Sequence, residues 1–395
     1  MTVIQFLNNQ FKYSSLIISC LTKLNDNLKK KLNMKISRNF HSIFEKSAMT
    51  EELDRKKLKK ASKSKKSPPQ NDTDEGMNDD DEVTLMSKSY FFKIVNPNLP
   101  IQTHESSPTS ISPTECSLLR TCAMLCECSY MKPKKATWPA EVGPPVLYKV
   151  DSEITKIPFF INNSDSLNTI FLTCRGSFCF DDVLTDLMGN AIEVCGGRMH
   201  QGVYDTASYV YYNAQSVLLQ LYNENNSRQI VFTGHSLGAA VSACLCELVR
   251  QSMPGINCRC VCLAPPPTVD LSLWHATRSS IKSFILEGDC VPFLSLENVL
   301  NISVEILPPK VAKTVQKWIH GRLKTTARGA YDPNNGIQLC PPGELYLFII
   351  NESGNAELRS IGPEYFDCLV RGLQDTNHVM SNYLATIMSY FKNNT

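Results

Sequence analysis

Ser236 stands between two glycines in the run Gly234-His235-Ser236-Leu237-Gly238. A serine hydroxyl attacks a carbonyl only when a base removes its proton and an acid orients that base. The pattern alone is weak, since chance yields roughly 0.1 such sites in a chain of this length at average residue usage. Its neighbours make the case. A short apolar segment, Gln229 to Phe232, runs into the motif, and the Ala-rich segment from Ala239 follows it. Strand, tight turn and helix together describe a nucleophile elbow, with the serine on a strained turn. Small residues are required two positions either side of it, and Gly234 and Gly238 meet that need. The backbone N–H of Leu237, the residue after the serine, is then one donor to a developing oxyanion. The plainer alternative is a glycine turn carrying an idle serine.

With an elbow of this kind the partners follow in the chain order serine, acid, histidine. Only His275, His320 and His378 come after Ser236. His275 is too early to leave room for an acid at a strand end. His320 sits on a basic helical segment beside Lys317 and Arg322, as a surface residue would. His378 follows the last apolar strand and opens the final helix, where a loop would present the base. For the acid, Asp289 ends the segment "SIKSFILEG" on the same sheet edge as the elbow. Asp270 is its rival, although the prolines after "CVCLA" carry the chain away from that edge. Asp375 is read as a cap for the final helix.

The elements needed to position these groups alternate along the chain. An amphipathic helix is expected over "ECSLLRTCAMLCECSYM", and strands over "KIPFFI" and "NTIFLTC". A long helix follows Gly202, the strand "QIVFTG" leads into Ser236, and "ACLCELVRQ" is a helix behind it. "CRCVCLAP" and "SIKSFILEG" are further strands, "VAKTVQKWIHGRL" a helix, "GELYLFII" a strand and "NHVMSNYLATIMSYF" a last helix. Such alternation implies an α/β domain, a mostly parallel sheet with helices on both faces. No internal repeat is visible.

Composition sets the outer bounds. The 395 residues are 43% hydrophobic and 20% charged with a formal net charge of +2, an ordinary globular balance. That near-neutral total does not point to nucleic acid. The charge is uneven, basic from Lys29 to Lys66 and acidic from Asn71 to Glu82. Residues 1–85 are therefore expected to be a charged, solvated extension, residues 86–114 a Pro- and Ser-rich linker, and 115–392 the catalytic domain. The extension is most simply a spacer; the sharper reading is reversible attraction to anionic lipid headgroups. No run approaches the roughly 18 apolar residues that span a bilayer, and no clear signal peptide opens the chain. A basic, acid-poor start leaves a mitochondrial transit peptide as a minor alternative. The sixteen cysteines include no CxxC pair, so no metal site is indicated. They read as small core residues in a reducing, cytoplasmic setting.

Several motifs keep a common order: "CRGS" at a strand end, "MHQG", "GHSLGAA", "LAPPP", "EGDCVPFLS", "PPG" and a late histidine. In this the chain resembles the class 3 lipase family over about residues 115–392, and most resembles its diacylglycerol lipase branch. The resemblance implies an α/β-hydrolase fold and a hydrolase of glycerolipid esters at a membrane or lipid-droplet surface, with no cofactor. It implies Ser236, Asp289 and His378 as the triad, and Ser177 as the second oxyanion donor, beside Leu237. Diacylglycerol is the substrate it favours, and phospholipase A1 activity or a catalytically silent lipid-binding role are the alternatives. Two departures stand out. The branch carries membrane-spanning helices not found here, and a cysteine, Cys290, follows the acid where an aliphatic residue is usual. The family's lid position corresponds to "FCFDDVLTDLM", after Ser177. An insert from about Leu307 to Gln338, with a Trp-bearing basic amphipathic stripe, is a second candidate; packing on the core is the simpler use of that stripe.

Overall fold

A computed structural model describes residues 100–150, 156–177, 191–295, 297–298 and 338–394. The charged extension and both candidate lid segments lie outside the described residues, apart from Gln338. So does the side chain of Asp375, and so does His320.

Nine strands form one sheet. They are β1 (Ser107–Pro108), β2 (Leu147–Lys149), β3 (Phe159–Ser164), β4 (Thr169–Cys174), β7 (Gln229–His235), β8 (Cys258–Leu263), β9 (Ile281–Leu286), β10 (Glu344–Ile350) and β11 (Ala356–Ile361), in the spatial order β1-β11-β10-β9-β8-β7-β4-β3-β2. Strands β5 (Ala191–Val194) and β6 (Gly197–His200) make a separate hairpin. Its two-residue turn, Cys195-Gly196, has positive φ at both positions (59° and 81°), as a type I′ hairpin requires.

The centre of the large sheet, β4-β7-β8-β9-β10, is parallel, as the alternation of strand and helix predicts. Antiparallel strands extend it at both edges, β3 and β2 on one side and β11 and β1 on the other. These edge strands are short or half-polar, and periodicity gave little sign of β2, β11 or β1. β1 lies within the stretch expected to be a linker, where Ser107 pairs with Ser360.

Helices cover both faces. On one lie α1 (Pro113–Ser129) and the final helix, α5 (Met380–Asn394), packed together. On the other lie α2 (Gln201–Glu224) and α3 (Leu237–Ser252). A short α4 (Leu271–Thr277) follows β8. α1 begins sharply because Ser112 and Glu115 form a reciprocal capping box and Pro113 occupies the first turn. Its buried Cys116, Leu119, Cys122, Leu125 and Cys126 pack with Phe171, Val231 and Tyr383 in one core. Each fully buried large apolar side chain there contributes about 1.5–3 kcal/mol.

Strands β7 and β8 are buried on both faces, which explains why apolar residues and cysteines stand at successive positions in them, as in Ile230-Val231-Phe232 and Cys260-Val261-Cys262-Leu263. The buried Thr233 within β7 is satisfied by donating to the Val261 carbonyl at 2.8 Å, and Ser242 of α3 donates to the Thr233 carbonyl at 2.7 Å. Every described cysteine is a free thiol, and all but Cys195 and Cys368 are buried. Burial pushes the Cys122 and Cys174 thiols up to about 12, so these two are small apolar filler rather than nucleophiles.

Candidate active site

The site begins with a steric requirement. β7 must turn into α3 within a residue or two, and Ser236 does this at φ 60°, ψ −130°. A non-glycine residue held at positive φ stores strain of order 1–3 kcal/mol, so the surrounding packing must enforce it. That packing leaves no room at the flanking positions. A Cβ on Gly234 would collide with the backbone of Gly238, and one on Gly238 would meet the Cys174 carbonyl at the end of β4. Ala239, Ala240 and Ala243 are buried behind, and they let α3 lie close on the sheet.

The serine so turned is almost wholly buried, and its hydroxyl has a histidine at hand. Ser236 Oγ lies 2.8 Å from His378 Nε2, although 142 residues separate them in the chain. His378 Nδ1 lies 2.9 Å from Asp289 Oδ2 and 3.2 Å from Oδ1. The consistent proton arrangement has Nδ1–H donating to the carboxylate and Nε2 accepting from the serine. Asp289 is fully buried and satisfied on both oxygens. The Val291 N–H donates to its Oδ1 at 2.9 Å, and the Tyr383 hydroxyl donates to Oδ2 at 2.6 Å. Tyr383 accepts in turn from the Leu286 N–H at 3.0 Å. Burial, then the adjacent Asp289 charge, push its phenol well above the usual range, so it remains a donor at all working pH.

His235 stays outside this chain of bonds. Its Nδ1 meets the Tyr130 hydroxyl at 2.9 Å, and its ring lies against that of His378 with centroids 4.6 Å apart. Burial, and next the nearness of His378, hold its pKa well below the usual histidine value. A neutral ring behind the base adds no competing charge. The Tyr130 hydroxyl also accepts the Gly176 N–H, which joins the end of α1 to the loop after β4. A Cβ on Gly176 would lie 2.5 Å from that hydroxyl and 3.1 Å from Ser236 Cβ, so the loop adjoins the nucleophile. Ser177 follows, half-buried, as the last described residue of the segment. Leu237 N–H and Gly238 N–H open α3, where helical N–H groups have no partner within the helix.

The structure thus brings together Ser236, His378 and Asp289, with the Leu237 backbone and the Gly176–Ser177 loop beside them. It does not bring in the rival acid. Asp270 caps α4 by accepting the Leu273 N–H at 2.9 Å. His378 ends a short helical turn, Asp375–His378, rather than opening the final helix, which starts at Met380. Sequence reasoning missed Tyr383, Tyr130 and Asn377. Tyr383 carried a faint signal, being a hydroxyl one helical turn into the apolar face of the last helix.

Among the described residues no group of three His, Cys, Asp or Glu side chains is placed to hold a metal ion. No helix among them is long and apolar enough to cross a membrane.

Comparison with known proteins finds likeness to lipases. Residues 171–299 match the family model described as Lipase (class 3). Mouse (Mus musculus) diacylglycerol lipase-beta is 27% identical over 164 residues, which is 39% of this chain and 24% of that protein. Human (Homo sapiens) diacylglycerol lipase-alpha is 25% identical over 179 residues, 42% of this chain and 17% of that protein. The matches therefore span a quarter or less of those relatives' length. Among solved structures, a lipase from Rhizopus microsporus var. chinensis superposes with a TM-score of 0.53 at 16% identity, covering 73% of this chain and 93% of that one. At that identity the likeness concerns the fold, which is of the α/β-hydrolase type.

Proposed function

We propose that this chain, class 3 lipase-like in its fold and in the order of its motifs, is a carboxylic ester hydrolase acting on glycerolipids. The observation that carries the reading is the unbroken hydrogen-bonded series Ser236 Oγ, His378, Asp289 at a strained elbow. Ser236 Oγ attacks the acyl carbonyl as His378 Nε2 takes its proton, and Asp289 stabilises the imidazolium so formed. Leu237 N–H and Ser177 hold the tetrahedral oxyanion, the latter by resemblance. Collapse of that intermediate breaks the ester bond, and His378 returns the proton to the departing alkoxide. A water molecule, deprotonated by His378, then attacks the acyl-serine; the bond from the acyl carbon to Ser236 Oγ breaks, His378 returns the proton to that oxygen, and the fatty acid leaves. The cycle uses no metal or organic cofactor.

Diacylglycerol, cleaved to a monoacylglycerol and a fatty acid, is the substrate we propose, supported by the two diacylglycerol lipases that this chain resembles. Phospholipase A1 activity is the second reading, because the same groups cleave any acyl ester that reaches them. Action would take place at a membrane or lipid-droplet surface, in the cytoplasm, with the charged extension as a peripheral contact. Two measurements test this. Ser236→Ala abolishes fluorophosphonate labelling and all lipid hydrolysis; labelling retained in that variant removes Ser236 from its role. Incubation with defined diacylglycerols, triacylglycerols and phospholipids then ranks the substrates. A parent protein that binds these lipids and cleaves none is a silent binding protein instead.

A further inference from the structure

The loops that carry the acid and the base are fastened to each other by more than the bond between them. Asp289 closes the turn Leu286–Asp289, its N–H donating to the Leu286 carbonyl at 3.1 Å. Gly288, third in that turn, has φ 78°, a value that a turn of this sort can require at that position. The chain leading to His378 runs alongside. Gln374 N–H donates to the Gly288 carbonyl at 2.8 Å, and Gln374 forms a single parallel β-bridge with Asp289. Asn377, immediately before His378, then reaches back over the turn. Its Nδ2 donates to the Glu287 carbonyl at 2.9 Å, and its Oδ1 accepts from Gln374 Nε2 at 2.9 Å. Gly288 makes this approach feasible, because a Cβ there would lie 2.7 Å from Asn377 Nδ2.

On the other side of the base the backbone is held by the final helix: the Asn382 and Tyr383 N–H groups donate to the Val379 carbonyl at 2.9 and 3.4 Å, and Asn382 Nδ2 donates to the Thr376 carbonyl at 2.7 Å. Val379, which separates His378 from α5, is 51% exposed. Beside the bond between His378 and Asp289 itself, the side chain of Asn377 ties the segment of the base to the turn of the acid, through the Glu287 carbonyl. We propose that Asn377 is a positioning residue for the acyl transfer, its amide setting the reach from His378 Nδ1 to Asp289. This rests on the triad reading above. Asn377 touches neither substrate nor reacting atoms; it acts by keeping the imidazole at the distance and angle the proton transfer needs. Displacement of a catalytic group by about an ångström costs up to a hundredfold in rate.

Two variants test the proposal. Asn377→Ala removes both bonds. Asn377→Asp keeps the shape and the acceptor for Gln374 but offers no donor to the Glu287 carbonyl. Both are expected to lower kcat on p-nitrophenyl butyrate by about ten- to a hundredfold with KM little changed. The downfield proton NMR signal of the His378–Asp289 hydrogen bond is expected to shift or broaden in both, while the melting temperature of Asn377→Asp stays near that of the parent. Unchanged kcat with an unchanged signal overturns the proposal. So does a fall in kcat that accompanies a fall in melting temperature while the signal stays put, since that marks a purely structural role. If the parent neither hydrolyses esters nor reacts with a fluorophosphonate, the hydrolase reading fails instead. The NMR comparison still reports then whether Asn377 governs the acid–base distance.

Discussion

Replacing Tyr383 by Phe removes one oxygen and two buried hydrogen bonds. That oxygen donates to Asp289 Oδ2 at 2.6 Å and accepts the Leu286 N–H at 3.0 Å, and both Tyr383 and Asp289 are wholly buried. A hydrogen bond to a charged group contributes about 1.5–3 kcal/mol, and a buried N–H left without a partner costs about 1–3 kcal/mol. No water reaches a residue with no exposed surface, so the two effects combine to about 2.5–6 kcal/mol. A domain of this size loses roughly 2–4 °C of melting temperature per kcal/mol, so Tyr383→Phe is expected to melt roughly 5–24 °C lower. Activity should fall as well. With Tyr383 silent, Asp289 keeps only the Val291 N–H and His378 as donors, and its carboxylate can turn away from the ring. A fall in kcat of about tenfold on a soluble ester is expected, with KM little changed. Thermal denaturation followed by circular dichroism and steady-state kinetics at neutral pH make the measurement. A variant that melts within a degree of the parent, with parental kcat, would refute the reasoning: the hydroxyl would then be neither buried nor bonded as described.

Two more perturbations bear on the same architecture. Gly238→Ala sets a methyl group against the Cys174 carbonyl, where both partners are backbone. An overpacking cost of about 1–3 kcal/mol is expected, with fluorophosphonate labelling lost as the elbow shifts; unimpaired melting and labelling would show that α3 does not approach β4 so closely. The second is pH. His235 is buried and its pKa is held below its unfolded value of about 6.5, so the unfolded chain binds this proton first as pH falls. The stability from keeping it neutral is fully present above about pH 6.5 and is lost below it, by roughly a kcal/mol per pH unit until the folded value is reached. Melting curves at pH 7.5 and 5.5 for the parent and His235→Gln read this out; equal slopes in the two proteins would remove His235 as the cause.

The elbow was legible because its constraint is local. A strand that must become a helix within five residues leaves no volume for side chains at Gly234 and Gly238, and that steric rule is written in adjacent letters. Asp289 and His378 were legible by chain order and by their place at strand ends, a property of parallel sheets in which successive strands finish on one edge. The edge strands β2, β11 and β1 were not. They have no long apolar run, and their pairing is fixed by neighbours distant in sequence, as Ser107 is by Ser360.

The sequence by itself therefore singled out Ser236, Asp289 and His378, which the fold brings within hydrogen-bond reach of one another, and determined that a sheet with helices on both faces would carry them. Only the tertiary structure decided what holds them still. Tyr383 meets Asp289 from 94 positions away, Tyr130 meets His235 from 105 and Asn377 meets the Glu287 carbonyl from 90. The reason is physical. Backbone sterics act between neighbours and leave a pattern in the chain, whereas a buried hydrogen bond depends on which faces of distant elements come together. That choice belongs to the packing of α1 and α5 on the sheet, and no spacing of residue types encodes it.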